Sequence, residues 1–462
     1  MATTGVIVRM DVETSTGIET IEFLDDDIVS AHVVNEINPP SLELPVSQIE
    51  FQVYSTDPRF SLFSDGVFEQ AFTQRQRLQV FELFENEEQH NGDYFLEEWN
   101  AESEYMYRFV AVDIIGVLEK ITYDGGFWQV ATAPSVVLDS ILAEHNIPYT
   151  LTDITVTDIK GWIKPGTVRE AIHQVAFALG ATVTTTSNGG LEIKAMKLPI
   201  DIVEPDLSIK RRQKIDRQNV NRLQMTTAIE LISHEYTQDP TTEPEVIYDA
   251  VLAPGDYKVV FNKPYYDVSV EGVGFIAINL ATEYGDSLAT EGLDEIVIDG
   301  GYVYGPNYLY LSVAEPGGQV IVSGYPWVDS MRSHILSEDV IASGASNAIK
   351  IDTATLVSLS NVDYVLNKLQ KYYRQRFVQE ATVIKKKSAE PVQTGTQYGA
   401  AQYGTFTYEG VGVDSNLSLL KVNDCVDIQT MHEKNIRGIV ERMETDLTGG
   451  MLATLTIRGV EI

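Results

Sequence analysis

Short runs in which apolar and polar residues alternate one for one recur along this chain, and they narrow what it can fold into. Ile49, Phe51 and Val53 alternate with Glu50, Gln52 and Tyr54, and Ile21 and Phe23 flank Glu22. A period of two puts every second side chain on one face, the pattern of a half-buried β-strand. The same pattern predicts strands at Arg108–Val112, Val117–Tyr123, Val268–Val270, Ile296–Ile298, Tyr308–Val313 and Val320–Val322. Turn signals punctuate the runs at Asn91-Gly92, Ser187-Asn188-Gly189-Gly190, Pro316-Gly317-Gly318 and Thr448-Gly449-Gly450. Such regular punctuation predicts barrels or sandwiches.

Three stretches carry helical spacing instead. Ser135–Glu144 places Val137, Leu138, Ile141 and Leu142 on one face, with Pro134 suited to a helix start. Thr167 and Glu170 form a capping box, Gly180 is a C-terminal stop, and Val168, Ile172, Val175, Ala176 and Leu179 repeat between them. The third helix is predicted from Asn361 to Phe377 with Ser360 as cap, leaving Lys368, Lys371, Arg374 and Arg376 facing outward. Gly126–Met196 therefore reads as a small α/β unit set into β-structure.

At 462 residues the chain is too long for one core, and at about 100–200 residues per domain it predicts three or four. No window reaches the ~18 consecutive apolar residues needed to cross a bilayer. Met1–Ile18 carries Arg9, Asp11 and Glu13 without an apolar centre, so no secretory signal is expected and the chain reads as a soluble cytosolic product. The single Cys425 excludes an internal disulfide framework and, within the strand-like Val422–Ile428, is expected to be a buried thiol.

Charge excludes more. Acidic residues outnumber basic ones by 67 to 33, for a net charge of -34, which keeps a body soluble and repels polyanions. Between Leu78 and Tyr107 there is no Lys or Arg, whereas Glu82, Glu85, Glu87, Glu88, Asp93, Glu97, Glu98, Glu102 and Glu104 all fall there. That run is expected to be a solvated face. The basic stretch Lys210, Arg211, Arg212, Lys214, Arg217, Arg222 lacks the interleaved aromatics of a base-stacking surface, so a domain junction or an acidic neighbouring subunit, rather than nucleic acid, is its expected partner.

The residues that carry chemistry do not assemble into a motif. Glu271-Gly272-Val273-Gly274 and Glu409-Gly410-Val411-Gly412 lack the third glycine of a dinucleotide site. His32, His90, His145, His173, His234, His334 and His432 are scattered, with no pair at metal-binding spacing. Gly344-Ala345-Ser346-Asn347-Ala348 lacks the closing glycine of a nucleophile elbow, and Gly285-Asp286-Ser287-Leu288 matches the serine block of a lipase family over four residues only. Distant triad partners remain open to a serine or cysteine nucleophile. Asp25-Asp26-Asp27 has no regular oxygen spacing and reads as a solvated turn. No catalytic residue, metal ligand or cofactor is expected, and the chain is read as a non-enzyme.

Three stretches carry a resemblance. Ser41-Leu42-Glu43-Leu44-Pro45-Val46-Ser47-Gln48-Ile49-Glu50-Phe51 resembles the opening of tail hub proteins of tailed phages and prophages, also called tail-associated or baseplate hub proteins. Trp162-Ile163-Lys164-Pro165-Gly166-Thr167-Val168-Arg169-Glu170-Ala171-Ile172, continuing through Ala176-Phe177-Ala178-Leu179-Gly180-Ala181, is similar to the helix of that family's inserted domain. Ile436-Arg437-Gly438-Ile439-Val440-Glu441-Arg442-Met443-Glu444, then Gly449-Gly450-Met451-Leu452-Ala453, resembles its closing hairpin.

The resemblance implies a mainly β fold with an α+β insertion: two tube-like β-barrel domains, a small α/β domain and an inserted β-sandwich. Barrel I is placed at Met1–Asp124, the α/β domain at Gly125–Asp206, barrel II at Leu207–Pro240 with Asp339–Ile462, and the sandwich at Thr241–Glu338. It implies a homotrimer whose six barrels form a ring, joining a hexameric tail tube to a three-fold tip that carries a spike or fibre. The implied location is the virion tail, assembled in the bacterial host cytoplasm, with a DNA conduit of acidic wall and no stable nucleic-acid binding. Ending at the closing hairpin, the chain is expected to carry no peptidase, lytic or fibre domain.

The alternative is a receptor- or glycan-binding tail module, or a carbohydrate-active protein, motivated by Tyr302, Tyr304, Tyr308 and Tyr310 near Trp327. Candidate subunit-interface residues are Lys210, Arg211, Arg212 and Lys214, with the Lys385-Lys386-Lys387 run as a second possibility. Gln397, Tyr398, Gln402 and Tyr403, within Gln393–Gly404, are the candidate partner loop.

Overall fold

The computed structural model describes residues 4–14, 17–57, 72–84, 87–210, 214, 219–272, 298–299, 302–313, 317–337, 347–385, 417–430, 434–448 and 452–462. The chain is mainly β, and strand alternation builds its largest feature. In Gln48–Tyr54, Ile49, Phe51 and Val53 are buried while Gln48 and Tyr54 are exposed. Strands of this kind join into one sheet of thirteen among the described residues. They are β1 (Thr4–Thr14), β2 (Gly17–Phe23), β3 (Ile28–Glu36), β4 (Gln48–Tyr54), β5 (Arg77–Phe84), β6 (Glu87–Ser103), β7 (Met106–Val112), β8 (Leu207–Ile209), β9 (Asn219–Arg222), β10 (Phe377–Ile384), β11 (Cys425–Gln429), β12 (Asn435–Asp446) and β13 (Leu452–Glu461).

Hydrogen bonding runs in the order β9-β10-β13-β12-β3-β4-β7-β6-β5-β1-β2, with β11 on β12 and β8 on β11. Two cores lie along this path. Strands β1–β7 enclose one built around Phe51 and Phe109, stacked at 5.0 Å, with Phe23 and Phe72 against them. Strands β8–β13 enclose Val383, Leu420, Ile428, Val440, Leu455 and Ile457.

The two bodies share a strand. β12 pairs with β11 through Asn435–Ile439 and with β3 through Arg442–Asp446, and β13 follows it along both halves. A register shift between Val440 and Arg442 falls where the partner changes, and the extra twist of such a bulge lets one strand serve two curved surfaces. The backbones at Gly438 and Gly459 face each other so closely that a Cβ on Gly459 would collide with the Arg437 carbonyl.

The first insertion is organised by α1 (Ile114–Leu118), α2 (Pro134–Leu142) and α3 (Val168–Ala178) packed on a three-stranded sheet of Tyr149–Thr152, Leu191–Ala195 and Ala181–Thr185. Its capping box is formed: Glu170 N donates to Thr167 Oγ1 at 3.2 Å and Thr167 N to Glu170 Oε2 at 3.0 Å. Gly180 takes φ +55°, the left-handed C-terminal stop. A further helix, α4 (Val362–Tyr373), packs on Phe177 of α3 and on Ile229 and Leu231 of the strand Ala228–Ser233. Beyond Ser233, two more sheets enclose Val259, Leu309, Leu311, Val320 and Val322.

Three sequence expectations are corrected. Val117–Tyr123 is not one strand: α1 claims Val117, because Asp113 caps it by accepting from Gly116 N at 3.2 Å, and only Thr122–Tyr123 is extended. Asn91-Gly92 makes no hairpin turn but sits inside β6, where the pairing with β5 slips between Val80 and Phe81. Helix α4 begins after Asn361 rather than Ser360 and stops at Tyr373, because Phe377 already belongs to β10. The Asn361 side chain accepts from Ser358 N at 2.8 Å and donates to Ala178 O at 3.0 Å, tying α4 to the end of α3.

Candidate functional site

Buried polar groups line a cavity of about 310 Å³ where the two β-bodies and the α/β insertion meet. Phase along the strands explains how charged residues came to be inside. In β5, Glu82 is in step with Leu78 and Val80, both fully buried, and just past β10 Lys385 is in step with Ala381 and Val383. Each therefore points inward from its own body. Lys385 Nζ donates to Glu82 Oε1 at 2.7 Å and Oε2 at 3.0 Å, with side-chain exposures of 4% and 1%. Asn91 Nδ2, delivered by the β6 bulge, also donates to Glu82.

The other polar groups are held similarly. Asp93 is buried, accepting from Arg77 Nε at 2.7 Å and facing His90 Nε2 at 2.9 Å. Tyr94 OH lies 3.3 Å from Asn35 Oδ1, and burial pushes its phenol well above the ordinary tyrosine range. Burial also raises the Asp113 carboxyl to about 6, against the pull of the Ser47 and Gly116 amides that donate to it. Asp424 is raised by burial as well. Cys425 is fully buried, and burial pushes its thiol up to about 11, which makes it unreactive.

Two of the acids in the Leu78–Tyr107 run, Glu82 and Asp93, are thus buried in the junction rather than on a solvated face, while Glu87, Glu88, Glu98, Glu102 and Glu104 are exposed. The cavity's arrangement is a fastening, since Glu82 and Asp93 are spent on Lys385 and Arg77 from other elements. Among the described residues, no group of three or more His, Cys, Asp or Glu could hold a metal ion.

The residues singled out from sequence do not converge. Lys210 is exposed, and Lys214 is half-buried, bridging to Val383 by backbone and donating to the Gln429 carbonyl. Arg211 and Arg212 lie outside the described residues, as do Lys386, Lys387, Gln397, Tyr398, Gln402 and Tyr403. Lys385 is taken by Glu82 of its own chain, so it does not face a neighbouring subunit. The turn at Asp25–Asp27 is exposed, with Asp25 accepting from Val6 N and Asp27 from Leu24 N.

A serine–histidine contact does form, at 2.9 Å between Ser233 Oγ and His334 Nε2. Ser233 is fully buried, so no substrate carbonyl reaches its hydroxyl in this structure. Next to it His234 Nδ1 meets Asp329 Oδ2 at 2.7 Å.

The tyrosines do not make a single row. Tyr302 and Tyr304 pair in register with Leu311 and Leu309, out of phase with Tyr308 and Tyr310. Tyr308 and Tyr310 meet edge-to-face at 5.2 Å beneath Lys258, which also pairs with Asp124. Trp327 instead packs on Phe127 at 5.0 Å, and Trp162 Nε1 donates to Asn307 Oδ1 at 2.7 Å. These contacts dock the two insertions on one another.

No protein-family model and no curated protein matches the chain. Solved structures do show likeness. A tail protein from Neisseria meningitidis aligns over 98% of this chain and 96% of its own at 9% identity, with a TM-score of 0.49. A prophage tail protein from Listeria monocytogenes aligns over 99% and 95% at 8% identity, TM-score 0.48. The 43 kDa tail protein of prophage MuSo2 from Shewanella oneidensis aligns over 98% of both chains at 9% identity, TM-score 0.47.

Proposed function

We propose that this chain is a structural hub of a phage-type tail, a homotrimer that joins the tail tube to a three-fold tip and forms part of the DNA conduit. One observation carries the reading: the three stretches that resemble tail hub proteins, far apart in sequence, meet in space. Ser41 Oγ donates to Ala181 O at 2.8 Å and Arg169 Nε to Leu44 O at 2.9 Å, joining the first two stretches; Ser47 of the first and Met443 of the third line one cavity, and Ile37, just ahead of the first stretch, donates from its N to Glu441 O at 2.8 Å. They surround the seam at which β12 passes from one β-body to the other.

Two β-bodies per chain, each a unit of the tube wall, would let three chains supply a six-fold rim. The division at residues 124, 206, 240 and 338 follows from that reading. Lys210 and its basic neighbours are assigned to the contact between chains, and exposed acids to the conduit wall, where carboxylates repel the DNA backbone.

Native mass measurement tests the reading: a particle of three times the 51.4 kDa chain, forming rings in electron micrographs and ignoring duplex DNA at physiological salt, supports it. A monomer that binds glycans would overturn it in favour of a receptor-binding module.

A further inference from the structure

The ion pair of Glu82 and Lys385 has a third companion that a fastening does not need. The pairing of β5 with β6 passes from Val80 opposite Gly92 to Phe81 opposite His90 and skips Asn91. The bulge thereby turns the Asn91 side chain out of the ladder and onto Glu82. Asn91 Nδ2 donates to Glu82 Oε1, the same oxygen that accepts from Lys385 Nζ at 2.7 Å. An amine following β10 and a carboxamide on β6, carried by different β-bodies, thus meet on one carboxylate oxygen. Tyr94 completes the group. Its hydroxyl stands 3.4 Å from Asn91 Oδ1, and burial raises the phenol well above the ordinary tyrosine range, so it remains a donor. All four side chains line the junction cavity.

These are the parts of an acyl transfer. A lysine amine becomes a nucleophile once an adjacent base removes a proton. The carbon of a carboxamide is the electrophile; its oxygen gathers negative charge under attack, and a hydroxyl beside that oxygen stabilises the charge. A carboxyl group that takes a proton from one nitrogen and returns one to the other supplies the general base and the general acid. Because the fold holds both reactants on one oxygen, it provides the orientation that free side chains lack.

We propose that Lys385 and Asn91 join in an intramolecular isopeptide bond, with Glu82 as its base and acid. Glu82 takes a proton from the Lys385 ammonium, Nζ attacks Asn91 Cγ, and the charge that develops on Oδ1 faces Tyr94. The Cγ–Nδ2 bond breaks as Nδ2 receives a proton relayed through Glu82, and ammonia leaves into the cavity. Of the ammonium's protons, one stays on the new amide, one rests on Glu82 and one departs with ammonia. Atoms and charge therefore balance without an oxidant or co-reactant. The structure shows the reactants, held together by the ion pair; the bond replaces that pair and ties the first β-body covalently to the second. The inference stands apart from the assembly reading and does not depend on it.

Intact-mass spectrometry of the full-length chain tests it. Folded wild type should weigh less than its sequence by one ammonia, and a protease digest should yield a branched peptide joining Asn91 to Lys385. Lys385→Arg keeps a cation against Glu82 but removes the amine, and Asn91→Ser removes the carboxamide; both should retain the mass of their sequences. Glu82→Gln, checked for folding by circular dichroism, should react about a hundredfold more slowly or not at all. Where that variant does not fold, Lys385→Arg carries the decision. A wild-type mass that stays at the sequence value after prolonged incubation of the folded protein overturns the proposal. So does an ammonia loss that persists in Lys385→Arg, because a succinimide closing on the Gly92 nitrogen also expels ammonia from Asn91 and needs no lysine. Loss at the wild-type rate in folded Glu82→Gln overturns the role given to Glu82.

Discussion

Lys385→Met tests whether the two β-bodies are locked by the buried ion pair. Lys385 is 3% exposed and Glu82 1%, so neither charge has recourse to water once its partner is gone. Removing one member of such a pair costs about 3–5 kcal/mol, most of it the stranded charge. The stranded group here is Glu82, left with the Asn91 amide as partner. Because a chain with several cores does not unfold in one step, the local measure is hydrogen exchange of the β5 and β10 amides. A loss of that size should speed exchange there by roughly two to three and a half powers of ten, while amides of α3 change little. The double variant Glu82→Met with Lys385→Met should recover most of the loss, because replacing both charges by apolar groups of similar volume is often neutral. A single-variant effect below about 1 kcal/mol, the size of an exposed pair, would refute the claim that this pair is buried and fastening.

Asp113 supplies a pH test. Its folded carboxyl titrates near 6, above the 3.8 of the free group, so the native state holds the proton more tightly and stability falls as pH rises from about 4 to about 6, by up to about 3 kcal/mol. Asp113→Asn should flatten that fall in urea titrations of the β7–α1 region; parallel slopes for the two proteins would show the carboxyl is not the cause. Trp162→Phe strands the Asn307 amide, which is 2% exposed, and should cost about 1–3 kcal/mol, read as faster protease cleavage between the two insertions; an unchanged cleavage rate would count against the docking. Gly459→Ala should destabilise the β12–β13 pairing by about 1–3 kcal/mol through its clash with the Arg437 carbonyl, and unaltered exchange of those amides would contradict the close approach. Native Cys425 should resist a thiol reagent until unfolding, because its sulfur is buried; labelling at the rate of a free thiol would sink that reading.

Much of the architecture was legible in period alone. Alternation at Ile49–Val53 and the capping box at Thr167–Glu170 both appear where the sequence put them, because each is decided by neighbours within a few residues. The failures share a cause. Asn91-Gly92 has the chemistry of a tight turn, but β5 offers a continuing partner on both sides, so the pair becomes a bulge that swings Asn91 towards Glu82. Val117 alternates convincingly, yet Asp113 supplies a cap three residues before Gly116 and the helix wins. The junction was hidden for a different reason: Glu82 and Lys385 stand 303 residues apart, and only their phase with Leu78, Val80, Ala381 and Val383 hinted that these charges face inward. Read as members of charge runs, they looked like surface.

The seam between β3 and β12 also sets a timetable for folding. Residues His32–Glu36 pair with Arg442–Asp446, so the first β-body leaves the ribosome long before the strand that covers its edge is made. At about 5–20 residues per second, a gap of roughly 400 residues means on the order of 20–80 s. Throughout that interval β3 presents open amides and carbonyls to any other nascent chain, which is the geometry that seeds misassembly at a sheet edge. A short edge helps: the awaiting segment includes His32, Asn35 and Glu36, polar groups that disfavour a flat apolar partner. Fusing two β-bodies by a shared strand thus makes synthesis of β12 the step that commits the first β-body to its final neighbour.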